Sequence, residues 1–343
     1  MSQEKQKILL IYTGGTIGMV KDFKTGALRT FDFKTLLDKI PELRLLDCNI
    51  ETVSFQDPID SSNMNPTYWV QIAEIIEANY ESFDGFVVLH GSDTMSYTAS
   101  ALSFMLENLA KPVVFTGSQL PIGDLRTDAK ENLITSIQVA SLHEKNKPVI
   151  KEVCLYFEYK LYRANRTTKV SAEHFEAFQS PNYPDLAQSG VHLKINTDDL
   201  YNPNVNKPLK TYKDFDTNVA IIKLFPGITE SFMRSILLTP NLKGVILETY
   251  GAGNCTTAAW FSDLLSDAIR KGVYVINITQ CTKGTVVMGR YETSNQLKHI
   301  GVISGKDLTT EAAITKLMWL LGNKTDANTF KTMFESSLRG EMS

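Results

Sequence analysis

The sequence predicts an α/β fold built on mainly parallel sheets, with a large N-terminal domain and a smaller C-terminal one. Short continuous apolar runs, as expected of strands buried on both faces, alternate with segments of helical period. One turn-rich stretch interrupts that alternation late in the chain. Length supports the division, since 343 residues exceed one ordinary domain of roughly 100–200 residues.

The first strand is Lys7-Ile-Leu-Leu-Ile-Tyr12, and Phe86–His90, Val113–Phe115, Val153–Phe157, Val219–Ile222, Val245–Leu247 and Val273–Ile276 have the same character. A helix is predicted from Pro66, behind the cap Asn65, because Trp69, Ile72, Ala73, Ile76 and Tyr80 share one face. Further helices are expected over Thr94–Leu109, Ala129–Leu142, Thr256–Ile269 and Thr310–Leu321. Strand and helix in alternation mean parallel pairing. Residues 196–218, containing Asn202-Pro-Asn-Val-Asn-Lys-Pro208, read as a linker between domains 1–195 and 219–343.

Composition narrows the function. Apolar residues make up 43% and charged residues 21%, which excludes disordered and fibrous classes. The net charge of −3, evenly spread, argues against nucleic acid or an anionic membrane as partner. No apolar run approaches the roughly 18 residues of a spanning helix, and the polar start predicts no secretory signal. Cys48, Cys154, Cys255 and Cys281 lie far apart and read as reduced thiols of a cytoplasmic chain. With five histidines and no metal-ligand spacing, neither a metal nor a cofactor is expected.

Ligands of parallel α/β sheets bind beyond the carboxyl ends of the strands, so the following loops carry the candidates. Tyr12-Thr-Gly-Gly-Thr-Ile-Gly18 offers Gly14 and Gly15 for a sharp turn and Thr16 for a hydroxyl; it fits neither a dinucleotide fingerprint nor a Walker loop. His90-Gly-Ser-Asp-Thr-Met95 sets Ser92 beside Asp93 at a helix start, where both residue types are good caps. One helix needs one cap, so the pair leaves a polar group for a ligand. Asp57–Met64 holds Ser61 and Ser62, able to receive a carboxylate or to cap the Pro66 helix. Gln119, in Thr116-Gly-Ser-Gln119, is a weaker ligand contact. Lys169 is the lysine best placed to activate a hydroxyl if buried beside a carboxylate. Hydroxyls, a carboxylate and a lysine, without a histidine base or phosphate cradle, suit acyl transfer through threonine or serine.

Thr13-Gly-Gly-Thr-Ile-Gly18 with His90-Gly-Ser-Asp-Thr-Met95 resembles the two signature segments of bacterial-type L-asparaginases. Ser61–Met64, Thr116–Gln119, Thr167-Thr-Lys169, Phe178–Asn182, Asn277–Cys281 and Leu338–Glu341 follow in the right order, so the resemblance covers essentially the whole chain and looks most like the cytoplasmic type I branch. It implies an asparaginase/glutaminase-like fold, a homodimer or homotetramer with sites at subunit contacts, and hydrolysis of L-asparagine to L-aspartate and ammonia. It further implies Thr16 as nucleophile, Ser92, Asp93 and Lys169 as the second catalytic cluster, and Ser61 on the substrate carboxylate. Asp60, Ser62, Gly15 and Gly91 complete the binding set, with Asp93 also meeting the ammonium. The residues alone permit either Thr16 or Ser92 to attack first. Burial is expected to make Lys169 less basic, so that it takes a proton through Ser92 or a water.

Two departures from the family pattern stand out. Ser92 replaces the usual threonine, keeping the hydroxyl but not the methyl that restricts rotation. Aligning Gly26 with the glycine before the family's lid tyrosine places Ala27 in its position; Phe23 or a residue from elsewhere would close the site, since Tyr12 ends a strand. Some type I relatives have a second, regulatory asparagine site, to which Thr168 and Cys281 correspond. Glu248 stands where an effector-binding arginine is expected, so activation by asparagine is expected to be weak or absent. Glutaminase or mixed amidase activity is the nearest rival, because one methylene discriminates by only about 1–3 kcal/mol. Transamidating relatives that act on charged tRNA carry an extra N-terminal region; the early first loop and the net charge weigh against that activity. A non-catalytic amino-acid sensor would keep Ser61 and Asp93 but tolerate loss of Thr16 and Lys169, both of which are present.

Overall fold

The computed structural model describes residues 5–21, 28–30, 40–289 and 292–343. Phe23, Gly26 and Ala27, on which the lid alignment turned, lie outside the described residues. The chain divides into two units, Met1–Lys213 and Asp214–Ser343.

In the larger unit, the strands of the main sheet are β1 (Gln6–Gly14), β2 (Cys48–Ile59), β3 (Gly85–Leu89), β4 (Val113–Thr116), β5 (Val153–Phe157), β6 (Lys160–Arg163), β7 (Ala187–Ser189) and β8 (Leu193–Ile195). They are ordered β8-β7-β6-β5-β4-β3-β1-β2. The five from β2 to β5 pair in parallel and the last three add on antiparallel. Three helices connect the parallel strands: α1 (Pro66–Asn79), α2 (Met95–Met105) and α3 (Ala129–Ser141). All five residues of β3 are buried, as are Ile8 to Ile11 of β1. Successive strand side chains alternate between faces, so this burial requires helices on both sides of the sheet.

β2 has no continuous apolar run. As the edge strand it buries only Cys48 and Phe55, which is why the alternation of apolar runs does not reveal it. Helix α2 departs from the predicted single-faced pattern. Every residue from Met95 to Met105 except Tyr97 is buried, Ser96, Thr98, Ser100 and Ser103 included. Helix α1 conforms: Asn65 caps it through Thr67 N–H, and Trp69, Ile72, Ala73 and Ile76 are buried.

The smaller unit holds a four-stranded parallel sheet of β9 (Val219–Lys223), β10 (Gly244–Thr249), β11 (Tyr274–Thr279) and β12 (Ile303–Ser304), in that order. Helices α4 (Glu230–Leu237), α5 (Ala259–Arg270), α6 (Glu292–His299), α7 (Thr310–Gly322) and α8 (Ala327–Glu335) complete it. Ile222, Val245, Leu247 and Val275 pack with Phe261 and Leu265 in its core. The turn-rich stretch 196–218 contains the boundary between the units. Its Lys210–Thr211 pairs with Leu106–Glu107 in the larger unit. No described helix is long and apolar enough to cross a membrane.

Candidate active site

Counting only the parallel strands, the large sheet runs 2-1-3-4-5, which puts its topological switch between β1 and β3. In open α/β sheets the crevice that binds ligands lies outside the carboxyl ends at that point. The loops after β1, β2 and β3 converge on that point. Gly15, at φ +88°, brings the backbone so close that an added Cβ would lie 2.5 Å from Gly91 N. A Cβ on Gly91 would in turn lie 2.5 Å from Ser61 Oγ. Thr16, half-buried, follows Gly15 at the start of a 3-10 turn. Thr13 donates its hydroxyl to Leu89 O at 2.9 Å, tying the end of β1 to that of β3.

The capping alternatives separate cleanly. Asn65 caps α1, and Ser61, 4% exposed, stays at the crevice. Asp60 turns instead to Ser62, accepting from its N–H and its hydroxyl, both at 2.8 Å. Those two donors hold the Asp60 carboxyl below its ordinary pKa. At the next loop neither Ser92 nor Asp93 caps α2. Thr94, at the cap position, donates its hydroxyl to Ser61 O at 2.7 Å. Ser92 and Asp93 both face Lys169, whose Nζ donates to Ser92 Oγ at 2.8 Å and to Asp93 Oδ1 at 2.7 Å. Lys169 comes from Thr168–Lys169, a short strand paired with Phe178–Gln179. Its side chain is 18% exposed against 67% for Asp93, so the lysine Nζ is enclosed while the carboxylate opens to solvent.

Tyr12 is buried with its hydroxyl against the Gly18 backbone, and burial raises its pKa to about 12. Glu248 and Cys281 lie in the smaller unit and Thr168 in the larger. The Glu248 carboxylate is already engaged, accepting from Thr310 Oγ1 at 2.6 Å and lying 3.7 Å from Lys223 Nζ. Among the described residues no set of three His, Cys, Asp or Glu side chains could hold a metal ion.

Two residues behind the crevice carry little sequence signal. Asp128 precedes a predicted helix and reads as a cap, yet makes no cap bond to α3. His90 reads as the end of a strand. It is wholly buried, with Nδ1 2.7 Å from Gly91 O, so the neutral ring carries its proton on Nδ1. Nε2 has no partner among the described residues, and burial lowers the pKa to about 4 despite the Gly91 contact. The unfolded chain binds this proton near its ordinary 6.5, so the stabilisation is full above that pH and is lost as pH falls toward 4. Urea unfolding at pH 7.5 and 4.5 should show the parent losing about 2–3 kcal/mol more than His90→Phe. Equal losses would mean that folded His90 is protonated at pH 4.5.

An α/β protein with a hydroxyl, carboxylate and lysine cluster at its sheet switch point is the class that fold and site define. The family model "Asparaginase, N-terminal" matches residues 7–201, and "Glutaminase/Asparaginase C-terminal domain" matches 218–334. The chain belongs to the asparaginase family. It is 42% identical to L-asparaginase 1 of Escherichia coli (strain K12), over 99% of this chain and 98% of that protein. The crystal structure of L-asparaginase I from Vibrio cholerae O1 biovar eltor matches with a TM-score of 0.90 and 40% identity, covering 99% of this chain and all of that one. The thermostable L-asparaginase from Thermococcus kodakarensis matches with a TM-score of 0.88 and 33% identity, over 98% of this chain and 99% of that one.

Proposed function

We propose that this chain hydrolyses L-asparagine to L-aspartate and ammonia, with Thr16 as nucleophile. The observation that carries the reading is the Lys169 Nζ bonded at once to Ser92 and Asp93, at the switch point and beside the Gly15–Gly91 contact. The Thr16 hydroxyl attacks the side-chain amide carbon. Its proton passes through Ser92 or a water to Lys169 as the neutral amine, and Asp93 fixes the lysine. Backbone N–H groups of the first loop and of Gly91 receive the developing oxyanion. Lys169 returns that proton to the amide nitrogen, which leaves as ammonia, and water then cleaves the β-aspartyl ester, returning the threonine hydroxyl. Ser61 holds the substrate carboxylate and Asp93 meets its ammonium, while Ser62, whose N–H and hydroxyl go to Asp60, holds the loop.

Family membership and the full-length similarity to proteins named L-asparaginase support the substrate. The open Asp93 carboxylate beside the buried Ser61 supports recognition of an α-amino acid. A cytoplasmic location follows from reading all four cysteines as free thiols. Assembly as a homodimer or homotetramer rests on the resemblance. Because the Glu248 carboxylate presents negative charge and is satisfied within its own unit, a second asparagine site acting through it is disfavoured. Initial rates of ammonia release from L-asparagine and L-glutamine over a wide concentration range test these points together. Release from asparagine should follow a hyperbola and exceed that from glutamine. Preferential release from glutamine would overturn the substrate. A sigmoidal curve abolished by Cys281→Ala would restore the effector site. Asparagine binding without release would make the protein a sensor.

A further inference from the structure

Serine has no Cβ methyl, so three χ1 wells are open to Ser92 where a threonine would be restricted. Yet its oxygen must stay on Lys169 for the cluster to work. Lys169 Nζ donates to Ser92 Oγ, which leaves the serine's own hydrogen to be placed. It goes to Gln119 Oε1 at 3.1 Å. The other end of that amide, Nε2, donates to His174 O at 3.1 Å, so the group fits only with its oxygen toward Ser92.

The backbone beneath Gln119 is held unusually firmly. Asp128, 5% exposed, accepts Gln119 N–H with both oxygens, at 3.1 and 2.9 Å, and Leu120 N–H at 3.1 Å. Asn132 Nδ2 donates to Asp128 Oδ2 at 3.2 Å and to Gly117 O at 3.0 Å, locking carboxylate and loop to α3. A buried carboxylate that takes two consecutive backbone donors and is itself tied to α3 by Asn132 fixes the direction in which the Gln119 side chain leaves the loop.

We propose that Gln119, anchored by Asp128, is a positioning residue for the amidohydrolase reaction, holding Ser92 in the single side-chain rotamer that keeps its oxygen on Lys169. The constraint acts on the position of the oxygen and not on the O–H torsion. The hydrogen can therefore swing from Gln119 to a neutral Lys169 when the proton is relayed. In this chain a hydrogen bond supplies the restriction that a β-methyl would supply by sterics.

The inference rests on the proposed reaction, and a double-mutant cycle with a structural readout separates the two. Gln119→Ala should lower kcat by about 10-fold, the worth of roughly one hydrogen bond, with KM changed by less than about 2-fold. In the Ser92→Thr background the same substitution should cost less than about 3-fold, because the methyl now restricts the rotamer. Equal losses in both backgrounds, or no loss in either, would overturn the proposal. Crystal structures of the parent and of Gln119→Ala give a reading independent of turnover. Ser92 should occupy one χ1 well in the parent and more than one in the variant. One unchanged well in both would also overturn it. A parent that releases no ammonia refutes the amidohydrolase reading, while the rotamer comparison still decides the role of Gln119.

Discussion

Replacing Thr16 by alanine should abolish ammonia release from L-asparagine, a loss of roughly 10⁴-fold or more, as when other enzymes lose their nucleophile. The substitution removes one hydroxyl and one methyl from a residue in a 3-10 turn whose path is set by Gly15 and its contact with Gly91. Alanine fits that backbone, so the fold should be retained. Ser61 and Asp93 are untouched, and L-aspartate should bind within a few-fold of the parent, measurable by calorimetry. The comparison with Ser92→Ala is decisive for the order of attack. If Thr16 attacks, Ser92→Ala slows turnover by impairing proton transfer, about 10²–10⁴-fold, and leaves a measurable rate. Loss confined to Ser92→Ala, with Thr16→Ala still active, would move the nucleophile to Ser92.

The second large effect is on stability and lies in the smaller unit. Lys316 and Glu341 form an ion pair with both side chains wholly buried. The Lys316 ammonium also donates to Phe334 O at 2.8 Å and Ser336 O at 2.6 Å. Glu341 accepts Leu338 N–H and Arg339 N–H, so the pair ties α7 to the C-terminal segment. Burial lowers the Lys316 pKa, although Glu341 opposes the shift. For Glu341 burial pulls the other way, but the Lys316 charge and the two N–H groups hold its pKa below the ordinary value. Breaking such a pair from one side strands the remaining charge, at about 3–5 kcal/mol. Glu341→Ala should therefore lower the melting temperature by about 10 °C or more in calorimetry. A shift below about 2 °C would mean that Lys316 finds water or sheds its proton in the variant.

What could be read in advance is what short stretches encode. Ile8–Tyr12 and Phe86–Leu89 are apolar throughout because β1 and β3 lie between layers of helices. Asn65 before Pro66 marks a helix start because a cap works within three residues. The loops after those strands could be singled out because the chemistry of parallel sheets gathers at their carboxyl ends. β2 escaped notice because an edge strand need not be apolar on both faces. Helix α2 misled in its face because burial on all sides erases the period.

The sequence by itself therefore determined the fold class, the alternation of buried strands with helices and the loops that hold Thr16, Ser61, Ser92 and Asp93. The tertiary structure alone decided which of their polar groups are structural caps and which are left for other partners. It set Asn65 to cap its helix and Thr94 to hold the Ser61 backbone, and left Ser92 and Asp93 on Lys169. It also gave the Asp128 carboxylate to the Gln119 backbone instead of to a cap bond at the start of its helix. Local spacing fixes periodicity and caps, whereas the Lys169–Ser92 bond joins residues 77 apart in sequence. Only the packed sheet, by aligning the ends of β1, β2 and β3 and returning Lys169 to them, brings such groups within hydrogen-bonding reach.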